Sequence, residues 1–242
     1  MDIAHGKYWD ETANAVIGCT RCSAACEHCW AIGYVNRFQK NHGWGNLVER
    51  RNERLDWTGD IHFRGSVLTD VLKRRVPTVY AWNFFGDTYH EGILDAYLEK
   101  MFAVMMLTPR HTHLILTKRG DRMRRHIRDV TTYDTVARWA RVMQTTHHLK
   151  PGPGMGWPLR NVHLGISAWD DASARAACVT LSELRAMGWK TVLSLEPLIG
   201  PPGDLETYLL ACGGVIVGWR VWKWSGRPRP PPVSSRLGAV RS

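Results

Sequence analysis

Five short apolar runs, separated by stretches with helical spacing, constrain this chain most. They are Pro77 to Phe85 (PTVYAWNFF), His111 to Thr117 (HTHLILT), Asn161 to Ala168 (NVHLGISA), Lys190 to Leu195 (KTVLSL) and Gly214 to Gly218 (GVIVG). Their length and their β-branched and aromatic content mark them as buried strands. A shorter run, Asn14 to Gly18, precedes them as a sixth strand. Helices are expected over Trp30 to Lys40, Ser66 to Arg75, Gly92 to Leu107, Tyr133 to His148, Asp171 to Met187 and Leu205 to Ala211. Val67, Val71 and Leu72 share one helical face, Pro109 stops the third helix and Gly188 closes the fifth. Continuous apolar strands alternating with helices call for a parallel sheet with covered faces. Right-handed crossovers then leave an open doubly wound sheet or a partial barrel.

Either arrangement gathers chemistry at the C-terminal ends of the strands. The polar residues expected there are Asn83, Asp87, Thr117, Lys118, Ser167 and Glu196. Taken singly, each reads first as a cap or a turn residue. Their common placement around one mouth points to a site.

The length of 242 residues suits one large domain, and 44% hydrophobic residues suit an ordinary core. Residues 1–226 read as that domain, residues 41–65 as a polar insertion, and residues 227–242, rich in Pro, Arg and Ser, as a disordered tail. The longest apolar run, Met101 to Leu107, falls far short of the roughly 18 residues that span a bilayer. The start, MDIAHGKYWD, lacks the layout of a signal peptide, so the expected location is cytoplasmic, with no membrane partner. The formal charge is +10, but six basic residues and no acidic one follow Trp219, which leaves the remainder at +4. A second basic group, Lys118, Arg119, Arg122, Arg124, Arg125 and Arg128, reads either as a solvated helix face or as a phosphate-contacting patch.

Four of the six cysteines fall within eleven residues: Cys19, Cys22, Cys26 and Cys29, in GCTRCSAACEHCWA. Thiolates this close repel one another, and a metal relieves the repulsion best. A structural zinc site usually joins two cysteine pairs a dozen or more residues apart, whereas three residues separate the inner cysteines here. A short loop around an iron–sulfur cluster fits better. Cys22-x3-Cys26-x2-Cys29 has the spacing of radical S-adenosylmethionine enzymes, in which three thiolates leave one iron open. Cys19-x6-Cys26-x2-Cys29 is the other subset. Ligation by all four would leave no open iron and give an electron-transfer or structural cluster. His28 lies inside the loop as a further donor, and His111 and His113 share one strand face as ordinary strand histidines. Cys178 and Cys212 sit in apolar surroundings and read as buried structural thiols.

Several segments together carry a resemblance: IGCTRCSAACEHCWA, NFFGDTYHEGI, HTHLILTKRGDRM, WPLRNVHLGISAWD, LSLEPLIGP and GGVIVG. In this order, over most of residues 14 to 218, the chain resembles phage-associated proteins of unknown function that carry a radical-SAM-like cysteine loop. Such proteins are often encoded beside a three-Cys-motif partner protein. The resemblance implies an α/β fold, a partial (β/α)6-type barrel of mostly parallel strands, radical-SAM-like. The family's usual cysteines match Cys19, Cys26 and Cys29, so Cys22 is extra. Ala25 stands where the family has a glycine or similar small residue, and Trp30 where it has a tyrosine. The family's Gly-Gly-Glu-Ser-Gly turn after the last strand is replaced by VIVGWRVWKWSG, without the glutamate, and its C-terminal helical portion by the Pro/Arg tail.

The resemblance implies a 4Fe–4S cluster and S-adenosylmethionine as cofactors, and a 5′-deoxyadenosyl radical acting on a substrate. Asp87 and Glu196 are candidates for the cofactor's amino group or ribose hydroxyls, with Ser167 and Lys118 completing the cofactor-binding set. Lys118 and Arg119 also suit a substrate phosphate or carboxylate, although Arg119 has Asp121 nearby as an alternative partner. Trp30 is expected to fill the core. The expected partners are a nucleic-acid or nucleotide substrate, the three-Cys-motif partner protein and an electron donor. Two other readings stay open: a basic nucleic-acid-binding protein stabilised by zinc or a four-cysteine cluster, and a catalytically degenerate family member.

Overall fold

The computed structural model describes residues 8–149, 156–201 and 203–217. The expected tail, 227–242, and the altered turn after the last strand lie outside these residues. The elements run, in chain order, β1 Glu11–Ala13, β2 Val16–Ile17, α1 Trp30–Phe38, β3 Val48–Arg51, β4 Arg54–Trp57, β5 His62–Phe63, α2 Gly65–Lys73, β6 Val79–Trp82 and α3 Asp95–Leu107. They continue with β7 Thr112–Thr117, α4 Gly120–Arg128, α5 Thr132–Thr146, β8 Val162–Ala168, α6 Asp171–Ala186, β9 Lys190–Leu195, α7 Leu205–Cys212 and β10 Val215–Val217.

Six strands form one sheet in the order β1-β6-β7-β8-β9-β10, and every pairing in it is parallel. The protein is therefore α/β, with a six-stranded parallel sheet flanked by helices. The strand order never reverses, so the sheet lacks the switch point of a doubly wound fold.

The first sheet strand lies earlier than the sequence predicts. Glu11–Ala13, not Asn14 to Gly18, pairs with β6, in the register Glu11↔Tyr80 to Ala13↔Trp82. The chain then leaves the sheet, because Ala15 N bonds back to Ala13 O at 3.1 Å and Val16 N donates to Asn83 Oδ1 at 2.9 Å. Val16–Ile17 pairs antiparallel with β5 instead. The polar insertion is ordered around a β3–β4 hairpin, whose turn residues Asn52 and Glu53 have φ of 45° and 64°. Two positive φ values in a two-residue turn match the twist of the flanking strands.

Helix α3 packs against α2 and α5. It buries Leu98, Met101, Phe102, Ala103, Val104, Met105 and Met106, so its C-terminal half is apolar around most of its circumference, as an enclosed segment must be. The main core joins it to α6 and the sheet. A second, smaller core gathers Ile17, Ala31, Ile32, Val35, Trp44, Leu47, Val48 and Trp57, with Cys19, Cys29 and Phe85 along its margin. Trp30 does not belong to it: the ring is 56% exposed, because α1 turns Ala31, Ile32 and Val35 inward. Cys178 of α6 and Cys212 of α7 are buried and face one another. Among the described residues no helix is long and apolar enough to cross a membrane.

Candidate functional site

Two glycines seat the cysteine loop. Gly18 has φ +99°, and a Cβ there would lie 2.2 Å from the Asp60 carbonyl oxygen. Gly18 N donates to Phe85 O at 3.0 Å, and a Cβ on Gly86 would lie 2.8 Å from Gly18 O. Only residues without side chains allow this approach, and it fixes the loop at the C-terminal end of β6. The chain then runs through a 3-10 turn, Ala24–His28, into α1.

Cys22 is the exposed thiol of the four; Cys19, Cys26 and Cys29 are half-buried. Cys26 Sγ lies 3.5 Å from Cys22 N and 3.4 Å from Ser23 Oγ. A hydrogen bond from the Cys22 thiol is the main cause that draws Cys26 down to about 4, and the same bond pushes Cys22 up. Burial, then the charge of Asp87, pushes Cys19 up to about 12, with Arg119 opposing. Among the described residues no three His, Cys, Asp or Glu side chains converge closely enough to hold a single metal ion. His28 is exposed, and Glu27 is engaged by Arg21 and Arg54. The donors the loop offers are therefore its thiols.

Arg119 ties this loop to the sheet. Its Nη1 donates to Asp87 Oδ2 at 3.1 Å and approaches Cys19 Sγ at 3.6 Å, while Nη2 donates to Thr20 O at 3.0 Å and Thr20 Oγ1 at 2.9 Å. The side chains of Arg119 and Asp87 are each 8% exposed. Asp121 pairs with Arg124 instead, so the partner of Arg119 is a residue 32 positions away. Asp87 was expected to meet a cofactor, yet both of its oxygens are committed to the protein. Oδ1 accepts from Thr117 Oγ1 at 2.6 Å and Tyr89 N at 2.9 Å, and Oδ2 accepts from Lys118 N at 3.2 Å as well as from Arg119. His90 completes the network. Gly92 N donates to its Nδ1 at 3.0 Å, so the neutral ring carries its proton on Nε2 and donates to Thr20 Oγ1 at 2.9 Å. Burial holds His90 below the usual histidine range, in keeping with that neutral form.

The hairpin braces the loop from the other side. Arg21 donates to Asp56 Oδ1 at 2.9 Å and to Cys26 O at 2.6 Å, and Arg54 reaches Glu27 at 2.6 Å.

Glu196 and Ser167 stand at the ends of β9 and β8. Glu196 Oε2 accepts from Tyr8 OH at 3.3 Å and Ser194 Oγ at 3.5 Å. Burial pushes its carboxyl up, against those hydrogen bonds and the charge of Lys118. Ser167 lies opposite Ser194 in the β8–β9 register. The positive charge of Lys118 favours the ionised forms of both Cys26 and Glu196. Asn83 has φ 58°, and its amide bonds Val16 N and Thr88 Oγ1, so it shapes the backbone. Three arginines of the basic group on α4 form ion pairs. Arg122 meets Asp95 and Glu91, and Arg124 and Arg128 both meet Glu183. His111 and His113 are buried; His113 bonds Trp82 Nε1 and Thr108 Oγ1, and His111 bonds Arg74 O.

Sequence reasoning missed Thr20, Arg21, His90 and Tyr8. Thr20 and Arg21 lie between the first two cysteines, which is a usable signal; Tyr8 and His90 carry none that spacing reveals.

No curated protein matches this chain, and no solved structure does. A family model described as a protein of unknown function, DUF5131, matches residues 4–222. That match spans nearly the whole chain, which therefore belongs to the DUF5131 family.

Proposed function

We propose that this chain is an iron–sulfur protein of the radical S-adenosylmethionine type, with a 4Fe–4S cluster held by Cys19, Cys26 and Cys29. The observation that carries the reading is the four-thiol loop, fastened to the C-terminal edge of a parallel sheet through Arg119, Asp87 and two opposed glycines. The donor set, thiols with no free carboxylate among them, suits iron and sulfide. When bound, the cluster and S-adenosylmethionine supply a one-electron cleavage of a carbon–sulfur bond and a 5′-deoxyadenosyl radical.

The chain's own residues position and shield. Arg119 offsets the negative charge of the thiolates, and Asp87 holds it there. Lys118 and Glu196, with Ser167 and Tyr8 beside them, offer a cation, a carboxylate and hydroxyls to a polar ligand at the mouth. Cys19 is half-buried against Arg119 while Cys22 is exposed, which supports Cys19 as the first ligand. The unreversed strand order supports a partial barrel: right-handed crossovers along such an order lay the helices on one face, and the sheet curls over the other.

The test is electron paramagnetic resonance on the anaerobically reconstituted, reduced protein, with and without S-adenosylmethionine. The expected result is a cluster signal that changes when the cofactor is added, retained in Cys22→Ala and lost in Cys19→Ala. A signal indifferent to the cofactor overturns the open-iron reading in favour of four-cysteine ligation or a degenerate site. Bound zinc without a cluster signal means a metal-stabilised binding module.

A further inference from the structure

Helix α1 turns an aromatic face outward beside the cysteine loop. Trp30, which follows Cys29, is 56% exposed, and Tyr34, one turn on, is 41% exposed. Both are held from behind by Phe85. Tyr34 stacks on it with ring centroids 4.4 Å apart and planes at 19°, and Trp30 meets it edge-on at 6.0 Å. Phe85 precedes Gly86 and Asp87, and its carbonyl accepts from Gly18 N. The two exposed rings are thus fixed to the same backbone that seats the loop, with their outer sides open.

The charge around these rings has one sign. Residues 30–46, WAIGYVNRFQKNHGWGN, contain no acidic residue and carry Arg37, Lys40 and His42. Arg37 and Lys40 are exposed and have no acidic partner among the described residues; Arg37 lies over the Phe38 ring at 5.3 Å. Trp30, Tyr34 and Arg37 follow at spacings of four and three, which puts them on one stripe of the helix. The nearby carboxylates of Glu27, Glu49 and Asp56 are each engaged by arginines of the loop or the hairpin. Rigid aromatic faces alternating with free cations suit a polyanion whose planar groups are unpaired, which describes single-stranded nucleic acid. A duplex offers the phosphates but keeps its base faces stacked inside.

We infer that this face binds single-stranded nucleic acid, with bases on Trp30 and Tyr34 and phosphates on Arg37 and Lys40. It thereby presents a strand to the mouth beside the cysteine loop. Only the role as substrate rests on the proposed radical chemistry; the binding does not.

The experiment uses the full chain, reconstituted and not, with a fluorescein-labelled 20-nucleotide oligo-dT and a duplex of equal length, read by anisotropy over a salt series. The single strand is expected to bind more tightly than the duplex. Trp30→Ala/Tyr34→Ala should weaken single-strand binding by about tenfold or more, since stacking on an aromatic ring contributes about 1–3 kcal/mol per base. Arg37→Ala/Lys40→Ala should flatten the salt dependence by between one and two phosphate contacts' worth, about 0.7 in log–log slope for each. Circular dichroism checks that both variants keep the fold. Single-strand binding unchanged in Trp30→Ala/Tyr34→Ala overturns the inference, because charge alone then holds the strand. Absence of binding overturns it too, and self-association relieved by the same variant would assign the face to a second copy of the chain. A protein that binds the strand yet leaves S-adenosylmethionine intact sinks the radical reading and keeps this one.

Discussion

At the scale of single residues, Arg119 is the joint of the site. Burying a guanidinium and a carboxylate together is tolerable only because each satisfies the other and because hydrogen bonds take up the remaining oxygens of Asp87. Arg119→Met leaves that carboxylate buried and unpaired, so it should lower the free energy of unfolding by about 3 kcal/mol, measured by urea titration. The same variant should retain less iron per chain after reconstitution. Arg119→Lys keeps the charge but cannot span Asp87 and Thr20 at once, and should fall between the two. The four cysteines were legible because their spacing is itself the signal. The pairing of Arg119 was not, because Asp121 is the nearer acid in sequence. The choice of Asp87 depends on β6 and β7 lying side by side, which local spacing does not encode.

Among the elements, the strands were legible where they are apolar throughout, as in β7, β8 and β9. The first was misplaced because Asn14 to Gly18 is the more apolar run, while Glu11 and Thr12, at the sheet edge, look like loop. Residues 41–65 were harder still. The β3–β4 hairpin is polar on its outer side because it covers only a small core, and its contribution is to grip the loop through Arg21 and Asp56. Asp56→Ala removes a partly exposed ion pair, so its effect on global stability should stay below about 1 kcal/mol. Loss of the proposed cluster from reconstituted protein on exposure to a chelator should nevertheless quicken, because Arg21 then holds Cys26 O with one anchor fewer. Time-resolved bleaching of the cluster absorbance separates the two effects, and an unchanged bleaching rate would remove the hairpin from the account of the site.

Over the whole molecule, buried histidines contribute to the response to acid. Burial depresses His113 to about 3 and His126 to about 4, well below the ordinary histidine value of 6.5. Between those folded values and 6.5 the unfolded chain binds protons that the folded chain does not, so stability is lost as the pH falls through that window. From pH 7 to pH 5 each of these two residues should cost about 2 kcal/mol. Urea midpoints at the two pH values check the sum, and His113→Gln should make the dependence shallower. The α/β class and the parallel sheet followed from the alternation of strands and helices; the unreversed strand order did not, since periodicity carries no information about which strands are neighbours.

That order has a consequence in time. Each later strand of the sheet pairs with the one before it in the chain, but β1 must wait for β6, and the register Glu11↔Tyr80 closes the widest sequence interval in the sheet. All four clustered cysteines lie inside that interval. As the chain leaves the ribosome, the loop therefore cannot be closed against the sheet until β6 has emerged, so the four thiols stay accessible until that late, long-range pairing forms.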